Sequence, residues 1–185
     1  DAFHELTVSM SDTPILGIII GTVFTLIVQS STATIGILQG LYAEGAILLD
    51  AALPVLFGDN LGTTITAIIA SLGVSVAAKR AALTHVIFNL TGAIIFTLAL
   101  PLFTVLIEYL QAMLNLNPQM TIAFAHGSFN IMNTLIQLPF IGVLAWIVTK
   151  LVPGEDTVIE YKPKHLDPLV IKSSSALALE QAKAE

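Results

Sequence analysis

The sequence is poor in charge and contains no cysteine. Of its 185 residues, 11% are charged and 55% are apolar, whereas a soluble domain carries roughly 25% charged residues. This balance excludes an ordinary soluble protein and is typical of a membrane protein. The absence of cysteine also excludes disulfides and thiolate sites for metals or redox chemistry.

Lysine and arginine are absent from the first 78 positions, since Lys79 is the first of them. The sequence has no basic patch for nucleic acid, no phosphate loop of the G-x-x-x-x-G-K type and no nucleophile next to a base. We therefore expect neither nucleic-acid binding nor an enzyme. The charged residues between positions 14 and 149 are Glu44, Asp50, Asp59, Lys79, Arg80 and Glu108.

Composition divides the chain into three regions. Residues 1–13 are polar with scattered apolar positions and predict an interfacial segment or a linker. Residues 14–149 form continuous apolar blocks, which predict an all-α, polytopic transmembrane bundle. Residues 150–185 are a predicted cytoplasmic linker, followed by an alanine-rich stretch that would begin a helix. Because the chain starts at Asp1 without a signal peptide, we expect a fragment of a longer protein.

The stretch VQSSTATIG at 28–36 places polar side chains inside an apolar run. Residues 14–28 would form roughly 22 Å of helix, which is shorter than the ~30 Å bilayer core. The polar side chains would point in all directions from a continuous helix. The pattern predicts a broken or re-entrant helical hairpin with an unwound tip, as in many transporter sites. The alternative is that the hydroxyls bond to their own helix. These polar residues are Gln29, Ser30, Ser31, Thr32 and Thr34.

A second polar stretch, GDNLGTT, occupies positions 58–64. Glycines beside an Asp-Asn pair predict a sharp turn that opens a helix, with Asp59 or Asn60 as its N-cap. The alternative is an ion site at the helix end, where Asp59 would help to bind sodium.

Two glycine pairs have a spacing of four residues, Gly17 with Gly21 and Gly36 with Gly40. Small residues at this spacing allow helix backbones to approach each other closely.

The segments THVIFN at 84–89 and AHGSFN at 125–130 share the pattern H-x-x-F-N. Neither histidine has a second histidine or a carboxylate at ligand spacing, so we expect no metal site beyond sodium. Asn89 and Asn130 are expected to form interhelical hydrogen bonds, and a supporting role in a polar site is the alternative.

The basic residues predict the orientation in the membrane. Lys79 and Arg80 precede two apolar crossings, roughly 83–110 and 121–148. A second basic cluster follows these crossings and consists of Lys150, Lys162, Lys164, Lys172 and Lys183. Both basic clusters would therefore lie on one side, which the positive-inside rule makes cytoplasmic. We expect a multi-pass protein of the cell (inner or plasma) membrane with a cytoplasmic C-terminal tail.

The chain resembles the type II sodium/phosphate cotransporter family, in particular its bacterial branch. The motifs that carry this resemblance are QSSTAT at 29–34 and GDNLGTT at 58–64. The resemblance covers roughly residues 14–148. It implies an inverted-repeat transporter in which two QSS motifs meet to bind phosphate and sodium. Since one QSS motif is present, the chain resembles the second repeat. Its partner would be the missing half or another copy, and a PhoU-like helical domain would follow.

The resemblance implies sodium-coupled transport of inorganic phosphate by alternating access, with no cofactor besides the coupling ion. The alternatives are a membrane anchor or sensor for a regulatory domain, and a sodium-coupled transporter of another small solute. Motif matching implies phosphate ligands at Gln29, Ser30, Ser31 and Thr32. The candidate sodium ligands are Ser31, Thr34, Asn60, Thr63 and Thr64, with Asp59, Asn89 and Asn130 as supporting candidates.

Overall fold

The computed structural model describes residues 9–10, 12–155 and 174–184, and contact analysis divides the chain into units 1–154 and 155–185. Within the described ranges the protein is helical throughout, without strands, as predicted. In the second unit, the helix Ser175–Ala184 begins where the alanine-rich stretch predicts one. The predicted N-terminal segment and linker lie largely outside the described residues.

The first unit consists of helices joined by short turns. Three of its apolar segments are long enough to cross a membrane, namely Leu49–Ser71, Val76–Leu98 and Pro118–Leu151. The unit is therefore compatible with a helical membrane bundle. In chain order, the helices are α1 (Pro14–Val28), α2 (Ser31–Ala43), α3 (Leu49–Gly62), α4 (Thr64–Ser71), α5 (Val76–Leu98), α6 (Leu100–Leu114), α7 (Pro118–Gln137), a 3-10 turn (Leu138–Phe140) and α8 (Ile141–Leu151), and the second unit contains α9 (Ser175–Ala184).

The predicted break in the first apolar block is confirmed. Helix α1 ends at Val28, and Gln29 has a left-handed backbone with a φ of 53°. The side-chain oxygens of Thr25 and Thr34 are 2.9 Å apart, although a straight helix would separate these residues by roughly 13 Å along its axis. The chain therefore turns back at Gln29 and Ser30, and α1 and α2 form a short hairpin with its tip at these two residues.

Local hydrogen bonds complete both helix ends at this tip. The backbone N–H of Gln29 donates to the carbonyl of Thr25 at 2.7 Å, which closes the last turn of α1. Ser30 is the N-cap of α2, and its hydroxyl oxygen accepts from the N–H of Ala33 at 3.3 Å. The polar residues of the motif therefore end one helix and begin the next.

Glycines allow α1 and α3 to pack side by side. A Cβ atom added at Gly21 would overlap the carbonyl of Val55, and one added at Gly58 would overlap the carbonyl of Ile18. The close approach predicted for Gly17 and Gly21 is confirmed. The same prediction for Gly36 and Gly40 is wrong within the described chain, because added Cβ atoms there would meet nothing within 4 Å.

The GDN sequence at 58–60 does not open a helix, which corrects the prediction of a turn there. Asp59 and Asn60 lie in the last turns of α3, and the helix is interrupted only at Thr63. The physical reason is that Gly58 and Gly62 are needed for contact with α1 rather than for a turn. Neither Asp59 nor Asn60 is an N-cap.

A cluster of phenylalanines holds α3 in the middle of the unit. Phe57 of α3 stacks on Phe129 of α7 with ring centroids 4.9 Å apart. Phe96 of α5 contacts Phe103 of α6 edge-on at 5.0 Å, and both rings also pack against Phe57. Because aromatic pairs add stability beyond their buried area, this cluster fixes the helix that carries the second polar motif.

Arg80 ties the start of α5 to the chain segment that follows Lys150. The Nε atom of Arg80 donates to the carbonyl of Val152 at 3.1 Å, and its Nη2 atom donates to the carbonyl of Gly154 at 2.9 Å. The first turns of α5 are thus tied to the chain that follows α8.

Candidate functional site

A polar cavity of about 260 Å³ lies beside the tip of the α1–α2 hairpin. It brings together the two polar stretches of the sequence, which are about 30 residues apart along the chain. Among the described residues, no charged side chain lines it. The lining residues are Gln29, Ser30, Ser31 and Thr32 on the hairpin side and Gly62, Thr63 and Thr66 on the α3–α4 side.

The hairpin side of the cavity presents hydrogen-bond donors. Because the oxygen of the Ser30 hydroxyl accepts from Ala33, its hydrogen is available to donate elsewhere. Ser31 and Thr32 begin α2, and the first N–H groups of a helix have no carbonyl partner inside the helix and carry partial positive charge. The exposed side chain of Gln29 adds an amide. This side is therefore suited to an anion.

The α3–α4 side presents acceptors. The hydroxyl of Thr63 donates to the carbonyl of Asn60 at 2.6 Å, and that of Thr66 donates to the carbonyl of Thr63 at 2.8 Å. Since each hydroxyl has one hydrogen, these oxygens retain only lone pairs for a ligand. This side is suited to a hard cation, which prefers oxygen ligands.

Two predicted sodium residues point away from the cavity. The side-chain amide of Asn60 donates to the carbonyl of Leu56 at 3.2 Å. The hydroxyl of Thr64 donates to the carbonyl of Leu61 at 2.7 Å. Both side chains are buried within the helical packing, with exposed fractions of 9% and 4%. Thr66 belongs to the second polar cluster of the sequence but is not among the predicted ligands, although it follows Thr63 by one helical turn and the spacing could have indicated a shared face.

Thr34 and Asp59 form a separate buried cluster behind the tip. The hydroxyl of Thr25 donates to Asp59 Oδ1 at 2.7 Å and lies 2.9 Å from the hydroxyl of Thr34. All three side chains are buried. Sequence reasoning missed Thr25, whose one signal was a hydroxyl within an apolar helix.

Asn89 and Asn130 do not line the cavity. Their side-chain amides donate to the carbonyls of His85 and His126, one turn earlier in the same helix, each at 2.9 Å. The prediction of interhelical bonds is therefore wrong for these amides, because their own helix supplies the acceptor. The link between α5 and α7 comes instead from Gln137, whose amide donates to the carbonyl of Phe88 at 2.9 Å.

Most of the chain is similar in sequence to one protein family. The family model described as Na+/Pi-cotransporter matches residues 1–153. The chain is 36% identical over 140 residues to "Uncharacterized protein YqeW" of Bacillus subtilis (strain 168), covering 75% of this chain and 44% of that protein. It is 30% identical over 178 residues to "Putative inorganic phosphate export protein YjbB" of Escherichia coli (strain K12), covering 96% and 32% respectively.

Similarity extends to a human protein over a shorter region. The chain is 39% identical over 85 residues to "Sodium-dependent phosphate transport protein 2B" of Homo sapiens, which covers 44% of this chain and 12% of that protein. The chain spans less than half of the length of each of these relatives. No solved structure matches it.

Proposed function

The chain belongs to the Na+/Pi-cotransporter family, and from this premise we propose that it forms part of a transporter that moves inorganic phosphate together with sodium across a membrane. The observation that carries the proposal is the cavity at the hairpin tip, where the two polar motifs of the sequence meet. The names of the similar proteins from Escherichia coli and Homo sapiens refer to phosphate transport, in agreement with a transporter and not an enzyme.

Phosphate would bind at the hairpin side of the cavity. Gln29, Ser30, Ser31 and Thr32 supply an amide, hydroxyls and the first N–H groups of α2, and all of these can donate to phosphate oxygens. In the part of the chain that the structure describes, no basic side chain lines the cavity. The negative charge must then be stabilised by the helix N-terminus and by cations that bind with it.

Sodium would bind next to phosphate at the α3–α4 side. Thr63 supplies an oxygen that cannot donate to the anion, because its hydrogen is held by Asn60. Ser31 could contribute from the opposite wall, whereas Asn60 and Thr64 would have to rotate away from their own helix to become ligands. An ion held between the two walls would attract phosphate, and each solute would raise the affinity for the other.

Alternating access would require a second structural half, related to this one as an inverted repeat. Gln29, Thr32 and Thr66 are exposed in this chain, so the cavity as it stands is open on one side. A second QSS-containing repeat placed against the hairpin tip would close it, and movement of one half relative to the other would open it to either side.

The test is uptake of labelled phosphate by proteoliposomes that contain the full-length protein. Phosphate should enter with an inward sodium gradient and not with an equal potassium gradient. The matched control is Thr97→Val, which removes a hydroxyl that donates to the carbonyl of Ala93 within α5. Because Thr97 does not line the cavity, this variant should leave uptake unchanged. Equal uptake in sodium and potassium would contradict the coupling. Uptake that excess unlabelled phosphate fails to reduce would show that phosphate is not the substrate.

A further inference from the structure

The side chain of Asn133 is a buried amide whose nitrogen lacks a hydrogen-bond partner. Asn133 belongs to α7, and 0% of its surface is exposed. Its Oδ1 atom accepts from the amide of Gln137 at 2.6 Å, whereas its Nδ2 atom has no partner in the part of the chain that the structure describes. Because a buried donor without an acceptor has lost its bonds to water and gained none, it raises the free energy of the conformation in which it occurs.

The carbonyl of Phe88 in α5 fixes the orientation of both amides. The Nε2 atom of Gln137 donates to this carbonyl at 2.9 Å, and a side-chain amide carries its donors on nitrogen only. If the amide of Asn133 were turned over, its Nδ2 atom would face the Nε2 atom of Gln137, and two donors would oppose each other. The unpaired donor is therefore a consequence of the bond from Gln137 to Phe88, which we call the amide bridge.

Gly92 holds the amide of Asn133 directly against the backbone of α5. A Cβ atom added at Gly92 would overlap the Nδ2, Cγ and Oδ1 atoms of Asn133, so the two helices are in close contact at this level. Separation of α5 from α7 here would admit water to the Nδ2 atom and satisfy it. The donor that is unpaired in the closed contact is thus paired in the open one.

A helix interruption follows the amide bridge immediately. Helix α7 ends at Gln137, and the 3-10 turn Leu138–Phe140, which contains Pro139, separates it from α8. Proline removes a helical hydrogen bond, and short 3-10 stretches between α-helices are frequent hinge positions. The end of α7 can therefore change its direction at this turn.

We propose that the contact of α5 with α7 at Gly92 and Asn133 is a gate, which the amide bridge holds closed and which the unpaired donor of Asn133 makes easier to open. On α5 the gate lies between Arg80, which is bonded to the chain after α8, and Phe96, which packs against Phe57 of α3. The use of the gate in phosphate transport rests on the proposed function, whereas the gate itself rests on the geometry.

The experiment measures how readily the gate opens. Ala93 follows Gly92 and is 2% exposed, so Ala93→Cys reports opening through its rate of reaction with a small water-soluble methanethiosulfonate. The full-length protein, with any other cysteine replaced by serine, is reacted in detergent without phosphate. Asn133→Leu should slow the reaction by ~5-fold or more, because the closed state then contains no unpaired buried donor on this residue. Gln137→Met removes the amide bridge and should speed the reaction by ~5-fold.

The side chain of Gln137 does not offset the effect of Asn133→Leu. Gln137 is only partly buried, so the hydrogen that it donates to Asn133 can bond to water instead. Its bond to Phe88 is retained in this variant.

The opposite signs of the two effects separate a gate from a damaged fold, because a variant that merely loosened the packing would speed the reaction in both cases. Asn130→Leu is the matched control, since the amide of Asn130 donates to His126 within α7, and it should react at the parent rate. An equal effect of Asn130→Leu and Asn133→Leu would contradict the proposal. In uptake assays, Asn133→Leu should lower the maximal rate and leave the half-saturating phosphate concentration unchanged.

The proposal is overturned when Asn133→Leu reacts as fast as the parent or faster, which is also the result expected if a buried water bonds to its Nδ2 atom. It is equally overturned when Ala93→Cys does not react in the parent, or when Gln137→Met reacts no faster, so the Gln137 variant decides the question even where Asn133→Leu does not fold. Failure of the phosphate proposal gives a different result. The reaction rates are measured without phosphate and should keep their order whether or not the protein transports it.

Discussion

At the scale of single residues, Gln29 is the most informative position. A left-handed backbone costs a residue other than glycine roughly 1–2 kcal/mol, and Gln29 adopts it with a φ of 53°. Glycine would be favoured if the position served only to turn the chain. Under the proposed function, a glutamine is retained in this conformation because its side chain lines the cavity and supplies an amide.

A pair of substitutions at Gln29 separates the backbone from the side chain. Gln29→Gly should abolish phosphate uptake while it leaves the protein as stable as the wild type or slightly more stable. Gln29→Ala should abolish uptake too, and its unfolding free energy should be lower than that of Gln29→Gly by ~1 kcal/mol, because alanine keeps the left-handed strain. Uptake assays and thermal unfolding in detergent measure both effects. Undiminished uptake by Gln29→Gly would remove the amide from the site.

The two sides of the cavity should respond differently to loss of a hydroxyl. Ser30→Ala removes a donor and should raise the phosphate concentration for half-maximal uptake by ~10-fold, since a hydrogen bond to a charged group contributes about 1.5–3 kcal/mol. Thr63→Val removes an acceptor and should chiefly raise the sodium concentration required. Uptake measured over a grid of both concentrations distinguishes the effects. The same shift in both variants would contradict the division of the cavity into donor and acceptor sides.

At the scale of helices, the parallel contact of α1 with α3 sets the position of the site. Gly17 of α1 faces Pro54, and Gly62 of α3 faces Thr22 and Thr25, so the two helices run in the same direction. The hydroxyl of Thr22 adds a bond to the carbonyl of Gly58 at 3.1 Å. Because their backbones touch, the end of α1 is held level with the end of α3, and the two motifs meet.

The two glycine pairs should therefore differ in their tolerance of alanine. Gly21→Ala should lower the unfolding free energy by ~3 kcal/mol or more, because its methyl group would meet the backbone of Val55 rather than a movable side chain. Gly36→Ala is the control, since open space surrounds it, and better helix propensity should leave the protein unchanged or more stable by up to ~1 kcal/mol. Thermal unfolding in detergent compares the two variants. Equal stability would contradict the close crossing.

At the scale of the whole molecule, the positions of the basic residues predict how the protein is oriented in the membrane. The bonds from Arg80 to Val152 and Gly154 place the start of α5 beside the chain after α8. Lys79 and Lys150 therefore lie at one end of this unit, and the positive-inside rule predicts that this end is cytoplasmic. The turn before α7 would lie on the opposite side.

Single-cysteine labelling tests this orientation directly, because these 185 residues contain no cysteine. Lys79→Cys and Lys150→Cys should be protected from a membrane-impermeant maleimide in intact cells and should react after the cells are opened. Gln119→Cys, at an exposed position in the first turn of α7, should react in intact cells. Labelling of only one of the two lysine positions would contradict their common side. Labelling of both, with protection of Gln119→Cys, would reverse the orientation.

The sequence by itself determined the class of protein and the break in its first apolar block. Both follow from local rules: charge is scarce because lipid excludes it, and hydroxyls and amides on every side of a short helix cannot all face protein. The bounds of α1 and the start of α2 agree with that reasoning. The polar residues at 29–32 likewise stand out from the apolar sequence around them, independently of any contact between helices.

Only the tertiary structure decided how the second motif and the glycines are used. The GDN residues continue a helix because Gly58 packs against Ile18, and this partner lies 40 positions earlier in the sequence. Thr66 of α4 lines the cavity and Asn60 of α3 does not, which depends on how each of these helices is rotated about its axis. Thr25 and Asp59 become partners because α1 and α3 cross closely. Local sequence patterns carry no information about such crossings, since they arise from packing between distant parts of the chain.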